Sequence, residues 1–144
     1  MIHLARSEKL KDLLQRPGKT PSLARRFVGG TNPEAAVETA QRLRDDAGIS
    51  SSLFFLGEYV NDPELAERNV DAMISLAPLL GAKGLDVNIS ADPTAIGFMV
   101  NEDLCRLNAE RIATAISEQP RPGNHLMLDM EDLSLVEHWI STNT

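Results

Sequence analysis

Four times along the chain a short apolar run breaks off at a small, polar or acidic residue: Arg26-Phe27-Val28-Gly29-Gly30, Leu53-Phe54-Phe55-Leu56-Gly57-Glu58, Leu85-Asp86-Val87-Asn88-Ile89-Ser90 and Leu126-Met127-Leu128-Asp129-Met130-Glu131. After each, apolar residues recur at three- and four-residue spacing, the period of a helix with one buried face. The pattern predicts strands over 26–28, 52–56, 85–90 and 125–128, each followed by a helix. Strands separated by helical segments are joined by right-handed crossovers and pair in parallel.

The helix boundaries are written in the polar residues. Asn32-Pro33-Glu34, Asp62-Pro63-Glu64 and Asn101-Glu102-Asp103 each place a capping side chain ahead of residues that suit a first helical turn. The first of these helices continues through Ala35, Ala36, Ala40 and Leu43 and stops at Gly48. The second runs through Leu65, Val70, Met73, Ile74 and Leu76, with Pro78 and Gly81 expected to close it. The third places Leu104, Leu107, Ile112 and Ile116 on its inner face, after a long loop over 91–100. Ahead of the first strand, Leu4, Leu10, Leu13 and Leu14 predict an amphipathic lead-in helix over 4–15, broken by the prolines and glycine of 16–21. A last helical stretch covers 133–140. The domain reading is therefore a lead-in helix and linker over 1–24 and a β/α unit over 25–144.

Composition narrows the partners. With 144 residues the chain is sized for one domain with a real core. A net charge of −7, with Arg25-Arg26 the one notable basic pair, argues against nucleic acid or an anionic membrane surface as the main partner. The single cysteine, Cys105, fits a reducing compartment and reads as a small core residue. No apolar stretch is long enough to span a bilayer and residues 1–6 lack a secretory apolar segment, so the expected location is cytoplasmic. His3, His125 and His138 have no metal-ligand spacing with one another or with Cys105, and no metal site is assigned.

In a parallel α/β fold the carboxyl ends of the strands face one side, so Gly29, Gly30, Gly57, Glu58, Asn88, Ser90, Asp129 and Glu131 are expected around one opening. The glycines also read as turn residues, and Glu58 and Asp129 as solvated carboxylates or helix caps. Met130 alternates with Asp129 across the strand and by itself reads as core filling. There is no GxGxxG, phosphate loop or Ser-His-Asp pattern. An unrelated α/β enzyme binding an anionic ligand at its strand ends is thus the least favoured reading.

In order and spacing, Arg25-Arg26-Phe27-Val28-Gly29-Gly30, Leu56-Gly57-Glu58, Val87-Asn88-Ile89-Ser90 with Ile96-Gly97, and Leu128-Asp129-Met130-Glu131-Asp132 resemble the first half of the bacterial proline dehydrogenase barrel. The resemblance implies half of a (β/α)8 TIM-type barrel with four parallel strands, and FAD as cofactor. The implied reaction is oxidation of L-proline to 1-pyrroline-5-carboxylate in proline catabolism, the flavin taking a hydride from the ring. It makes Asp129 the strand-four catalytic aspartate, Met130 a flavin contact and Glu58, the strand-two glutamate of a Leu-Gly-Glu motif, a substrate-binding residue together with Asn88. It also puts Asn88 where the family carries a lysine that contacts substrate and pairs with the aspartate. A weak association with membrane or quinone belongs to the same set of implied partners.

Four parallel strands cannot close a barrel, and an open half leaves two strand edges and an inner face uncovered. The expectation is therefore a homo-oligomer, a complementing half-barrel or a longer parent, with the isolated chain inactive. The competing reading is a truncated, non-catalytic half-barrel acting as an assembly or interaction module.

Overall fold

A computed structural model describes residues 28–120 and 123–129. Within them the chain forms α1 (Pro33–Ala47), β1 (Leu53–Phe54), α2 (Pro63–Ala82), β2 (Asn88–Ala91), a single 3-10 turn (Pro93–Ala95), α3 (Glu102–Ser117) and β3 (His125–Leu128). The expected helices over 4–15 and 133–140 lie outside the described residues. So do Arg26 and Phe27 of the first expected strand, whose remaining residue Val28 is in no regular element.

The three strands form one parallel sheet in the order β1-β2-β3. Leu53 and Phe54 pair with Ile89 and Ser90, and Asn88 to Ala91 pair in step with His125 to Leu128. Because side chains alternate across a strand, this register sorts them into two faces. Val87, Ile89 and Ala91, fully covered, join Leu53, Leu126 and Leu128 against the helices. Phe54, Asn88, Ser90, His125 and Met127 fall on the opposite face, away from these helices, the face that would be the inward one in a barrel.

Each helix starts where its cap stands. The side chains of Asn32, Asp62 and Asn101 accept hydrogen bonds from the amides of Ala35, Glu64 and Leu104 at 2.9, 2.9 and 2.8 Å. Gly48 ends α1 in the left-handed conformation, φ 67°, donating back to Arg44 and Leu43. α2 packs between α1 and α3. Met73, Leu76, Ala77 and Leu80 of α2 meet Val37 and Ala40 of α1 and Cys105, Ile112 and Ile116 of α3 in one core.

Two expectations about the helices are corrected. α2 runs through Pro78 without ending there and closes at Ala82, one residue past Gly81, the other expected stop. Pro78 is exposed, so the hydrogen bond it cannot donate is lost on the outer side of the helix, and Gly81 leaves room for the side chain of Gln119. On α3, Leu107 is not on the inner face: it is 54% exposed, and the buried stripe is Cys105, Asn108, Ile112 and Ile116. Two of these four are not aliphatic, which is why the apolar pattern rotated the expected face. The loop expected over 91–100 contains the buried turn Pro93–Ala95, capped by Asp92.

Candidate functional site

The carboxyl ends of the strands are assembled by hydrogen bonds that run past the regular ladder. The amide of Asp129 donates to Ala91 O at 3.0 Å, which extends the β2–β3 pairing by one step and sets Asp129 beside Asp92. Asp129 is exposed, whereas Asp92 is 4% exposed, its Oδ1 accepting from Thr94 N at 2.7 Å. Thr94 is buried in turn and holds the β1–α2 loop. Its Oγ1 accepts from Tyr59 N at 3.0 Å, and its carbonyl accepts from Val60 N at 3.0 Å. Glu58, half-buried, lies on that loop four residues beyond β1.

Two asparagines fix the turn from the helix side. Asn69 of α2 donates through Nδ2 to Ala95 O at 3.1 Å, and Asn108 of α3 donates to Ile96 O at 2.9 Å. Both side chains are almost fully buried, so each offsets its own desolvation by satisfying a carbonyl that has left the sheet ladder. Asp92, Thr94, Asn69 and Asn108 do not stand out in the pattern of apolar and polar positions. The signal available for the first two was Asp92-Pro93-Thr94, which repeats the cap-proline grammar of Asn32-Pro33 and Asp62-Pro63.

Asn88 is not at the strand-end rim. It opens β2 opposite His125, four residues and about 13 Å from the level of Asp129, because the strand runs on to Ala91. In the backbone register the residue opposite Asp129 is Asp92, a carboxylate rather than an amide or a cation. Asn88 and Ser90 instead lie deeper on the inward face, where Asn88 Oδ1 and Ser90 Oγ are buried with no hydrogen-bond partner. Met127, beside Ser90, is 46% exposed on that face, and Leu56 of the β1–α2 loop is 66% exposed. Met130 and Glu131 lie outside the described residues. Gly57 belongs to the Glu58 loop, and Gly30 packs so closely on the first turn of α1 that a Cβ there would collide with the Ala36 backbone.

The Cys105 thiol is buried under Pro93, its Sγ 3.7 Å from the Pro93 carbonyl, and burial with the nearby Asp92 and Glu102 charges pushes its pKa up to about 12. It is a packing residue and not a nucleophile at neutral pH. A shallow hollow lined by Arg44, Ile49, Leu85 and Asp86 sits at the other, amino-terminal end of the strands. Among the described residues no group of three His, Cys, Asp or Glu side chains could hold a metal ion, and no helix is long and apolar enough to cross a membrane.

With parallel strands whose carboxyl ends bear Glu58, Asp92 and Asp129, the sequence relatives become interpretable. Proline dehydrogenase of Deinococcus radiodurans is 34% identical over 119 residues, which cover 81% of this chain and 37% of that protein. The chain is related to the proline dehydrogenases. Proline dehydrogenases 1 and 2 of Bacillus subtilis strain 168 are 28% and 25% identical over 118 and 109 residues, or 82% and 76% of this chain. They are covered to 38% and 35% of their own lengths, so the chain spans somewhat more than a third of the proline dehydrogenases it matches. No protein-family model matches the chain.

Proposed function

We propose that this chain supplies the first β/α units of an FAD-dependent proline-oxidising barrel, converting L-proline to 1-pyrroline-5-carboxylate. The observation that carries the reading is the parallel β2–β3 ladder that ends at Asp129, in a chain related to proline dehydrogenases. An exposed carboxylate there can hold the substrate ammonium by a charge-assisted hydrogen bond and orient the ring. Glu58 adds a second acidic group on the same side, and Asp92 keeps the turn between them in place.

The inward face suits a large planar ligand. Asn88 Oδ1 and Ser90 Oγ are buried without a hydrogen-bond partner, with Phe54 and Met127 beside Ser90 and His125 beside Asn88. Ser90 and Asn88 would lie under such a ligand, and Met130, by family resemblance, would touch the flavin. FAD, when bound, accepts the hydride that leaves the proline ring. The protein's part is to bind the amine, hold its geometry and receive the amine proton at a carboxylate oxygen.

Three strands with Met127 exposed on the inward side leave a face that further β/α units would cover in a closed barrel. In this reading the covering units come from a second copy or a complementing half-barrel when the chain is studied alone. Light scattering after size exclusion reads that directly: a dilution-resistant monomer overturns it. The activity is tested by fusing the full chain to the part of the Deinococcus radiodurans proline dehydrogenase beyond the matched region. The expected product is yellow and reduces a dye in a proline-dependent manner. A folded fusion that stays colourless with added FAD overturns the proposal and leaves the assembly-module reading.

A further inference from the structure

The loop that carries Glu58 cannot take its position from β1. That strand has only two residues, and Glu58 lies four residues past its end. The loop is bracketed instead by the turn that follows β2. On one side Tyr59 N and Val60 N both donate to Thr94, to Oγ1 and to the carbonyl, each at 3.0 Å. On the other, Gly57 lies against Asn69, whose Nδ2 a Cβ at Gly57 would approach to 3.3 Å, and that same Nδ2 holds Ala95 O. Glu58 thus sits between Gly57, which lies against the Asn69 amide that holds Ala95, and Tyr59, whose amide is bonded to Thr94.

The backbone is strained at this point. Tyr59 has φ 53°, and among the described residues it is the one non-glycine residue in the left-handed region. A side-chain-bearing residue stays in that conformation only where its surroundings over-determine it, and such strain concentrates at functional sites. Here the two successive amides captured by Thr94 supply the constraint. Thr94 is itself 2% exposed and fixed by its amide to Asp92 Oδ1, so the constraint is anchored to the strand end beside Asp129.

We propose that Thr94 is a positioning residue: it fastens the Glu58 loop to the carboxyl end of β2, so that the β2–α3 turn, and not β1, sets where Glu58 stands relative to Asp129. Its bearing on substrate rests on the proline-oxidation reading above; its hold on the loop does not. The hydroxyl is the decisive group, since the Thr94 carbonyl and amide survive any side-chain change.

Hydrogen exchange on the full chain tests the hold. Thr94→Val keeps the shape and removes the acceptor, and Thr94→Ser keeps the acceptor. Thr94→Val is expected to speed exchange at the Tyr59 amide by roughly tenfold or more, with Thr94→Ser within about threefold of the parent. Equal exchange in the two variants overturns the proposal. Tyr59→Gly, which accepts the backbone angle without strain, covers the case in which Thr94→Val fails to fold: combined with Thr94→Val it is expected to restore the fold while leaving the residue-59 amide unprotected. Retained protection there also overturns the proposal. In the active fusion, Thr94→Val is expected to raise KM for proline more than it lowers kcat, with Thr94→Ser restoring it. The double variant with Glu58→Gln should be no worse than Glu58→Gln alone within about twofold, because both changes remove one contribution. Independent, multiplying losses would show that Thr94 does not act through Glu58. A fusion with no proline activity removes the proline reading and leaves the exchange result to decide the hold.

Discussion

Asn108→Ala is the substitution that most directly probes how the strand-end turn is held. Asn108 is 1% exposed on α3, its Nδ2 donates to Ile96 O at 2.9 Å, and its Oδ1 accepts from Arg111 Nη1 at 3.0 Å. Ile96 is fully covered, so losing the amide leaves a buried carbonyl without its donor, a cost of about 1–3 kcal/mol. Unfilled space adds roughly half a kcal/mol. A total of about 1.5–3.5 kcal/mol lowers the melting temperature of a chain of this size by roughly 5–12 °C. Thermal melting followed by circular dichroism measures it. Arg111→Met is the control, because it removes the same Arg111 contact together with the more exposed pairs to Glu67 at 2.8 Å and Asp71 at 3.3 Å. Exposed pairs of that kind contribute at most about 1 kcal/mol. Asn108→Leu fills the space but still leaves the carbonyl unpaired, and it should melt about as low as Asn108→Ala. If Asn108→Leu recovers the parent's stability, or Arg111→Met proves the more damaging change, the carbonyl is not what Asn108 stabilises.

Arg111 also holds the Glu67 carboxyl below its usual range, chiefly through their hydrogen bond, so the pair's contribution is present above the unfolded carboxylate value and lost as pH falls through the folded one. Arg111→Met should therefore flatten the acid limb of stability against pH. Cys105, raised to about 12, has the opposite sense: the folded state keeps a proton that the unfolded thiol releases above about pH 9, so stability falls as pH rises from there. Alkylation at pH 8 should leave Cys105 unmodified until denaturant is added, and rapid labelling of native protein would contradict its burial. Gly97→Ala should destabilise more than Gly48→Ala in the same melting assay. Both have positive φ, 117° and 67°, but a Cβ at Gly97 meets Leu104 Cγ at 2.9 Å and one at Gly48 meets nothing within 4 Å. Asp129→Asn in the active fusion should lower kcat/KM for proline by roughly a hundredfold while leaving the circular dichroism unchanged, since Asp129 is exposed; an unaffected rate removes it from the site.

The parts of this fold that were legible beforehand are those decided within a few residues of chain. The caps Asn32, Asp62 and Asn101 act on amides two or three positions away, and β3 was expected over the residues it occupies, because alternation and capping are local. Pro78 misled for the converse reason: the rule that proline ends a helix is local, but whether the lost bond matters depends on which side faces solvent. The inner face of α3 was misjudged because burial of Asn108 is favourable only once Ile96 O, twelve residues away, is brought to meet it.

The same division separates the site. Its chemical types, acidic residues at the ends of apolar runs, are set by the sequence alone, as is the relationship to proline dehydrogenases. Which of them stand together is not. Strand β2 extends to Ala91 because its register with β3 continues to Leu128 and is sealed by the Asp129 amide, and that long-range pairing puts Asp92 beside Asp129 and leaves Asn88 deeper on the inward face. The fixing of the Glu58 loop by Thr94, thirty-five residues from Tyr59, is likewise a tertiary decision. Hydrogen bonds between segments far apart in the chain carry no periodic signature, so only the folded structure reveals which residues they join.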